Sequence, residues 1–219
     1  MDTQLEAVEV ETGDEPEASI IWLHGLGSDG NDFAPLADEI DLPFAVRYIF
    51  PHAPTMPVSI NGGYVMRAWY DISDAAIRRE DEAGVRASQG LIEELLAREQ
   101  SSGIPANRIV LAGFSQGGAI ALHTGMRHAA GLAGIIAFST YVPVADSLAA
   151  EASAANRATP IFMAHGSSDP MIPLARAEAS YALLQQLGYA VEWHEYPMPH
   201  SVCPQEIADL CAWLARVLA

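Results

Sequence analysis

The 219-residue chain contains no lysine, and its 11 arginines face 28 acidic residues, for a formal net charge of −17. Without lysine there is no Schiff-base catalysis and no P-loop phosphate cradle. Without clustered cations there is no phosphate-tracking surface, which excludes nucleic acid as a partner, and no polybasic membrane anchor. Cysteine is scarce: Cys203 and Cys211 are the only two. On one C-terminal helix, eight residues would separate them by about 12 Å, too far for a disulfide. No Cys or Cys/His spacing suits zinc, so both are expected as reduced packing residues and no metal site is expected. No apolar run reaches the length of a membrane span. The first residues lack a basic and then apolar leader. A cytoplasmic protein is the expectation.

Half of the residues are hydrophobic, enough for a substantial core. The length and the absence of internal repeats or linkers point to one domain. Residues 1–17 hold seven acids and no base. Within them, the alternation Leu5-Glu6-Ala7-Val8-Glu9-Val10 reads as an edge strand or, alternatively, as a frayed acidic tail. From residue 18 to 219 the pattern is that of a single α/β domain. Short apolar runs at 18–23, 45–50, 108–113, 134–138, 160–165 and 191–196 read as strands. Helical stretches are expected over about 80–101, 116–128 and 174–187, with a last one ending at Leu218. Another, capped by Asn31 or Asp32, is expected through Phe33, Leu36 and Ile40. Apolar strands alternating with amphipathic helices predict a mostly parallel sheet with helices on both faces. Between Pro51 and Asp71 lies an irregular stretch. Its aromatics and methionines argue against disorder, and loops of this length usually carry function.

Gly113-Phe114-Ser115-Gln116-Gly117-Gly118 fits Gly-x-Ser-x-Gly between an apolar strand and a helix, the context a nucleophile elbow requires. A serine there needs a base and an orienting acid. Of the seven histidines, His123 and His128 are expected on the helix behind the elbow, and His194 inside a strand. His24 and His165 close strands in structural positions. His200 sits in the loop after the last strand, on the sheet edge that carries the elbow, and is the candidate base. Asp169 follows the 160–165 strand on the same edge and is the candidate acid. Its competitor, Asp146, looks more like a helix cap. The resulting chain order is Ser, Asp, His. The oxyanion donors are expected to be the backbone N–H groups of Gln116 and Leu26. Gly25-x-Gly27-x-x-Gly30 also matches a dinucleotide-binding pattern. The acidic residue that pattern requires falls near Asp41, before the next strand rather than at its end, so no cofactor is expected.

Leu23-His24-Gly25-Leu26-Gly27, the Ser115 hexapeptide, His165-Gly166-x-x-Asp169 and Pro197-Met198-x-His200 together resemble the carboxylesterase/acyl-protein thioesterase family of α/β-hydrolases. Asn61-Gly62-Gly63-Tyr64 through Trp69-Tyr70-Asp71 and Phe138-Ser139-Thr140-Tyr141-Val142-Pro143 are similar to its bacterial carboxylesterases. The resemblance runs over about 20–218. It implies an α/β-hydrolase with little or no cap, a Ser115–Asp169–His200 triad, and Leu26 and Gln116 as oxyanion donors. It also implies a homodimer formed through surfaces near the site. The chain departs from the family pattern at Pro199, where a small residue is usual. The fixed φ of proline either stiffens that loop or shifts the imidazole. The expected reaction is hydrolysis of carboxylic esters of small to medium acyl chains. Met66, Trp69 and Tyr141 are expected to line the substrate pocket. The alternatives are a thioesterase acting on S-acylated protein or lysophospholipid, and a catalytically silent binding module of the same fold.

Overall fold

The computed structural model describes residues 5–74 and 80–219. Its strands are β1 (Ala7–Glu11), β2 (Ala18–Leu23), β3 (Val46–Pro51), β4 (Thr55–Val58), β5 (Tyr64–Arg67), β6 (Ile109–Phe114), β7 (Gly134–Phe138), β8 (Ile161–Gly166) and β9 (Val191–Tyr196). Its α-helices are α1 (Gly30–Phe33), α2 (Leu36–Glu39), α3 (Glu82–Ser101), α4 (Gln116–Gly125), α5 (Ala145–Glu151), α6 (Leu174–Gln186) and α7 (Pro204–Val217). Seven strands form one sheet in the order β1-β3-β2-β6-β7-β8-β9. All neighbours are parallel except β1, which runs antiparallel to β3 at the edge.

The continuous apolar character of β2 and β6 follows from burial on both faces. Ile20 and Trp22 of β2 turn toward a core with Leu210 and Trp213 of α7. Ile21 and Leu23 turn the other way, toward Ile92 and Leu95 of α3 and Ala119 and Ile120 of α4. Further along that second face, Leu122 of α4, Leu148 of α5 and Leu184 of α6 cover Ile135, Ile161 and Met163. The sheet is thus sandwiched between helices, and every parallel strand delivers its following loop to one edge. Among the described residues no helix is long and apolar enough to cross a membrane.

Several elements differ from the sequence reading. The helix expected from Asn31 or Asp32 through Ile40 is two short helices, interrupted at Pro35, which has no N–H to continue the ladder. Its cap is Asp29, whose Oδ1 accepts from Asn31 N–H at 2.8 Å. The irregular stretch contains a hairpin: β4 pairs antiparallel with β5, placing Met56 opposite Met66, and Gly62 and Gly63 turn the chain at positive φ. Helix α4 ends at Gly125, so His128 lies beyond it, with Nδ1 2.6 Å from Glu93 Oε2. Cys203 caps α7 rather than lying within it, Cys211 is inside the helix, and both thiols are free.

Candidate active site

Ser115 occupies the turn between β6 and α4 with φ 56° and ψ −120°, a conformation L-residues avoid. Its neighbours hold it there. Ser115 N–H donates to the Phe138 carbonyl at 2.8 Å, and Thr140 Oγ1 donates to the Ser115 carbonyl at 2.6 Å. The flanking glycines are required by close approach. A Cβ on Gly117 would collide with the Leu23 and His24 carbonyl oxygens, and one on Gly113 would collide with the Gly117 backbone. The turn can therefore sit against the end of β2 only with glycine at both places.

His200 reaches this turn from the loop between β9 and α7. Its Nε2 lies 2.9 Å from Ser115 Oγ, and its Nδ1 lies 2.6 Å from Asp169 Oδ2. The ring packs on Phe114 at 4.7 Å between centroids. Pro199 is compatible with this placement, and its carbonyl accepts from Ser201 N–H at 2.9 Å. A Cβ on Gly166 would collide with the Pro199 and Met198 carbonyl oxygens, so the histidine loop rests directly on the end of β8.

Asp169 is buried, and its Oδ1 accepts from Met171 N–H at 2.8 Å and Ile172 N–H at 2.9 Å. That leaves Oδ2 to face His200. Asp146, the competing acid, lies exposed in the first turn of α5, and the carboxylate bonded to His200 is that of Asp169. His165 Nε2 donates to the Ile172 carbonyl at 2.9 Å and stands 3.5 Å from Asp169 Oδ2, bracing the aspartate turn.

Leu26 and Gln116 both border the cavity above Ser115. Among the described residues neither backbone N–H has a hydrogen-bond acceptor. For Gln116 this follows from its place as the first residue of α4. The Leu26 loop is fixed on both sides. Gly27 N–H donates to the Arg67 carbonyl at 2.9 Å. His24 Nε2 accepts from Ala53 N–H at 3.0 Å while Nδ1 donates to the Gly25 carbonyl at 2.7 Å. Burial lowers the His24 pKa, which keeps the ring in the neutral form those two bonds require. Gly30, the last glycine of the apparent dinucleotide pattern, is present because a Cβ would strike the Phe50 carbonyl.

The cavity measures about 710 Å³, and Met66 and Tyr141 line it. Trp69 does not, which corrects the sequence reading. It is fully buried in the core, and its indole N–H donates to the His24 carbonyl at 2.9 Å, so it braces the glycine-rich loop of residues 25–27 from behind. Sequence reasoning missed Tyr70, Phe33, Ile172 and Val202, all on the wall. Tyr70 and Ile172 had a signal in their adjacency to Trp69 and to the Asp169 loop. Val202 had the same kind of signal in its adjacency to His200, and Phe33 had none. Among the described residues no group of histidine, cysteine and carboxylate side chains could hold a metal ion.

Residues 5–218 match the family model described as phospholipase/carboxylesterase. A Cryptococcus neoformans protein named acyl-protein thioesterase 1 is 38% identical over 237 residues, covering 100% of both chains. Among solved structures, SOBER1 of Arabidopsis thaliana superposes with a TM-score of 0.88 at 28% identity, covering 92% of this chain and 99% of that one. Acyl-protein thioesterase 2 of Zea mays gives a TM-score of 0.86 at 28% identity, covering 98% and 99%.

Proposed function

The chain belongs to the phospholipase/carboxylesterase family of α/β-hydrolases, and on that footing we propose that it is a serine carboxylesterase acting through Ser115, His200 and Asp169. The observation that carries this reading is one imidazole ring spanning two partners, with Nε2 2.9 Å from Ser115 Oγ and Nδ1 2.6 Å from Asp169 Oδ2. These are the distances a nucleophile, base and orienter need.

In the reaction, His200 Nε2 takes the Ser115 proton as Oγ bonds to the acyl carbonyl carbon. The carbonyl oxygen becomes an oxyanion between the Leu26 and Gln116 N–H groups, which have no other claim on them. His200 then returns the proton to the leaving alcohol as its bond to the acyl carbon breaks, leaving an ester on Ser115. Water repeats the sequence: His200 takes its proton, the hydroxide bonds to the acyl carbon, and Ser115 leaves with the proton restored. Asp169 holds the Nδ1–H tautomer throughout. The cavity volume and its apolar lining suit small to medium acyl chains.

A thiol leaving group would pass through the same steps, and the relatives named acyl-protein thioesterases favour that second reading. A panel of oxygen esters and thioesters of matched acyl length separates the two. Labelling by a fluorophosphonate tests the shared chemistry. Wild type is modified at Ser115, and Ser115→Ala is neither modified nor able to release p-nitrophenol. Labelling elsewhere, or full turnover by Ser115→Ala, overturns it. The exposed apolar side chains of Ile60, Tyr64, Val65 and Met171 support a homodimer, which sedimentation would detect.

A further inference from the structure

Tyr70 and Tyr141 reach the cavity wall from opposite halves of the sequence, and their phenol oxygens lie 2.8 Å apart. Each residue is only 1% exposed. A hydroxyl carries one proton and two lone pairs. When two phenols share one hydrogen bond, one proton makes it and the other is left over. Among the described residues no third group accepts that second proton. Burial raises the pKa of both phenols, so both keep their protons across the working range.

The surroundings sharpen this donor. The Arg176 guanidinium sits 3.9 Å from the Tyr141 ring centroid, and its charge draws density from the ring and strengthens the O–H as a donor. Glu80 holds Arg176 at 3.4 Å, while its other oxygen accepts from Val144 N–H at 2.6 Å. Both tyrosines are also fastened to the nucleophile turn. Gln116 Nε2 donates to the Tyr70 carbonyl at 2.7 Å, and Thr140, next to Tyr141, bonds the Ser115 carbonyl. The acyl group is the part of the substrate that becomes bonded to Ser115. The pair therefore keeps a fixed position relative to Ser115 Oγ, the atom to which the acyl group becomes bonded. Close by, Ile72 and Ile172 make the same wall apolar.

We propose that the Tyr70–Tyr141 pair is a specificity determinant whose spare O–H donates to an oxygen within the acyl chain, selecting ether- or oxo-substituted acyl groups over hydrocarbon chains of equal length. This rests on the serine hydrolase reading above. A hydrocarbon chain pressed on the pair leaves a buried donor without an acceptor, and sites built to hydrogen-bond a substrate reject analogues that cannot reciprocate.

The test compares the p-nitrophenyl esters of γ-methoxybutanoate and hexanoate, which differ by one oxygen in place of a methylene. Each kcat/KM is divided by the hydroxide-catalysed rate of the same ester. Wild type should favour the ether ester by about tenfold, the worth of one good hydrogen bond. The Tyr70→Phe/Tyr141→Phe double variant, which has neither proton, should bring the ratio to about one, with hexanoate turnover held or raised, whereas Tyr141→Phe alone leaves the Tyr70 proton without a phenol acceptor and should keep part of the preference. Loss of mere packing would lower both esters together. A wild-type ratio near one, or a wild-type ratio that survives in the double variant, overturns the proposal. So does a preference that appears only when the oxygen is moved to the alcohol side. Hexanoate turnover that Ser115→Ala abolishes keeps the hydrolase reading standing in each of those cases.

Discussion

The side-chain amide of Gln116 donates to the Tyr70 carbonyl at 2.7 Å, while its Oε1 accepts from Trp69 N–H at 2.8 Å. One residue thus offers its backbone N–H to the cavity and uses its side chain as a strut that locks the cavity wall to the elbow. Gln116→Ala keeps the backbone donor and removes the strut, leaving two buried backbone groups without partners. Each such group costs about 1–3 kcal/mol. Urea denaturation should therefore show a loss of about 2–6 kcal/mol, and Ser115 should still be labelled by a fluorophosphonate, more slowly. Wild-type stability in Gln116→Ala would remove the strut from the account.

The backbone at Ser115 carries a separate cost. Its φ of 56° suits glycine and strains any residue with a Cβ. Ser115→Gly and Ser115→Ala should both be inactive, but the glycine variant should be the more stable of the two by about 1 kcal/mol. Equal midpoints in parallel calorimetry would show that the turn is not strained in the folded protein.

Asp169→Asn tests the proposed role of Asp169 in orienting His200. The asparagine fits the same space, and its Oδ1 can still accept from Met171 and Ile172 N–H. The amide nitrogen then faces His200 Nδ1 and favours the wrong tautomer, with the proton on Nε2 pointing at Ser115. Loss of about 10⁴ in kcat/KM is expected, with the unfolding midpoint close to that of the wild type. Activity within tenfold of the wild type would mean that Asp169 does not orient the ring.

How much of this was legible in the sequence depended on how local each cause is. The buried parallel strands announce themselves, because burial on both faces demands an unbroken apolar run, as in Ile20-Ile21-Trp22-Leu23. The β4–β5 hairpin did not. Pro54, Pro57 and the Gly62-Gly63 pair weaken every strand signal in a segment whose pairing is set by its partner. Three residues able to cap within four positions, Asp29, Asn31 and Asp32, left the helix start ambiguous, and it is Asp29 that accepts from Asn31 N–H. Trp69 was read as lining together with Met66 and Tyr141. It is instead buried in the core, with its indole N–H bonded to the His24 carbonyl, 45 residues away. The Tyr70–Tyr141 pair spans 71 residues and has no periodicity at all.

Glu206 ties stability to pH. It is fully buried in the first turn of α7, just beyond the His200 loop, and neither carboxyl oxygen has a hydrogen-bond partner among the described residues. The nearby Cys203 N–H opposes the shift without reaching hydrogen-bond geometry. Burial therefore dominates and pushes the pKa from 4.5 up to about 8. A group raised in the folded state stabilises it fully below its unfolded value. That contribution is then lost as pH climbs toward the folded value, because only the unfolded chain can release the proton cheaply. Between pH 5 and 8 the loss is about 1.4 kcal/mol per unit at most, reduced by whatever water enters the helix end. Urea midpoints at pH 5 and pH 8.5 should therefore fall steeply for the wild type. They should fall much less for Glu206→Gln, which carries the neutral shape at both values. Parallel slopes for the two proteins would place the buried charge elsewhere, and a wild type more stable at pH 8.5 than at pH 5 would reverse the sign of the linkage.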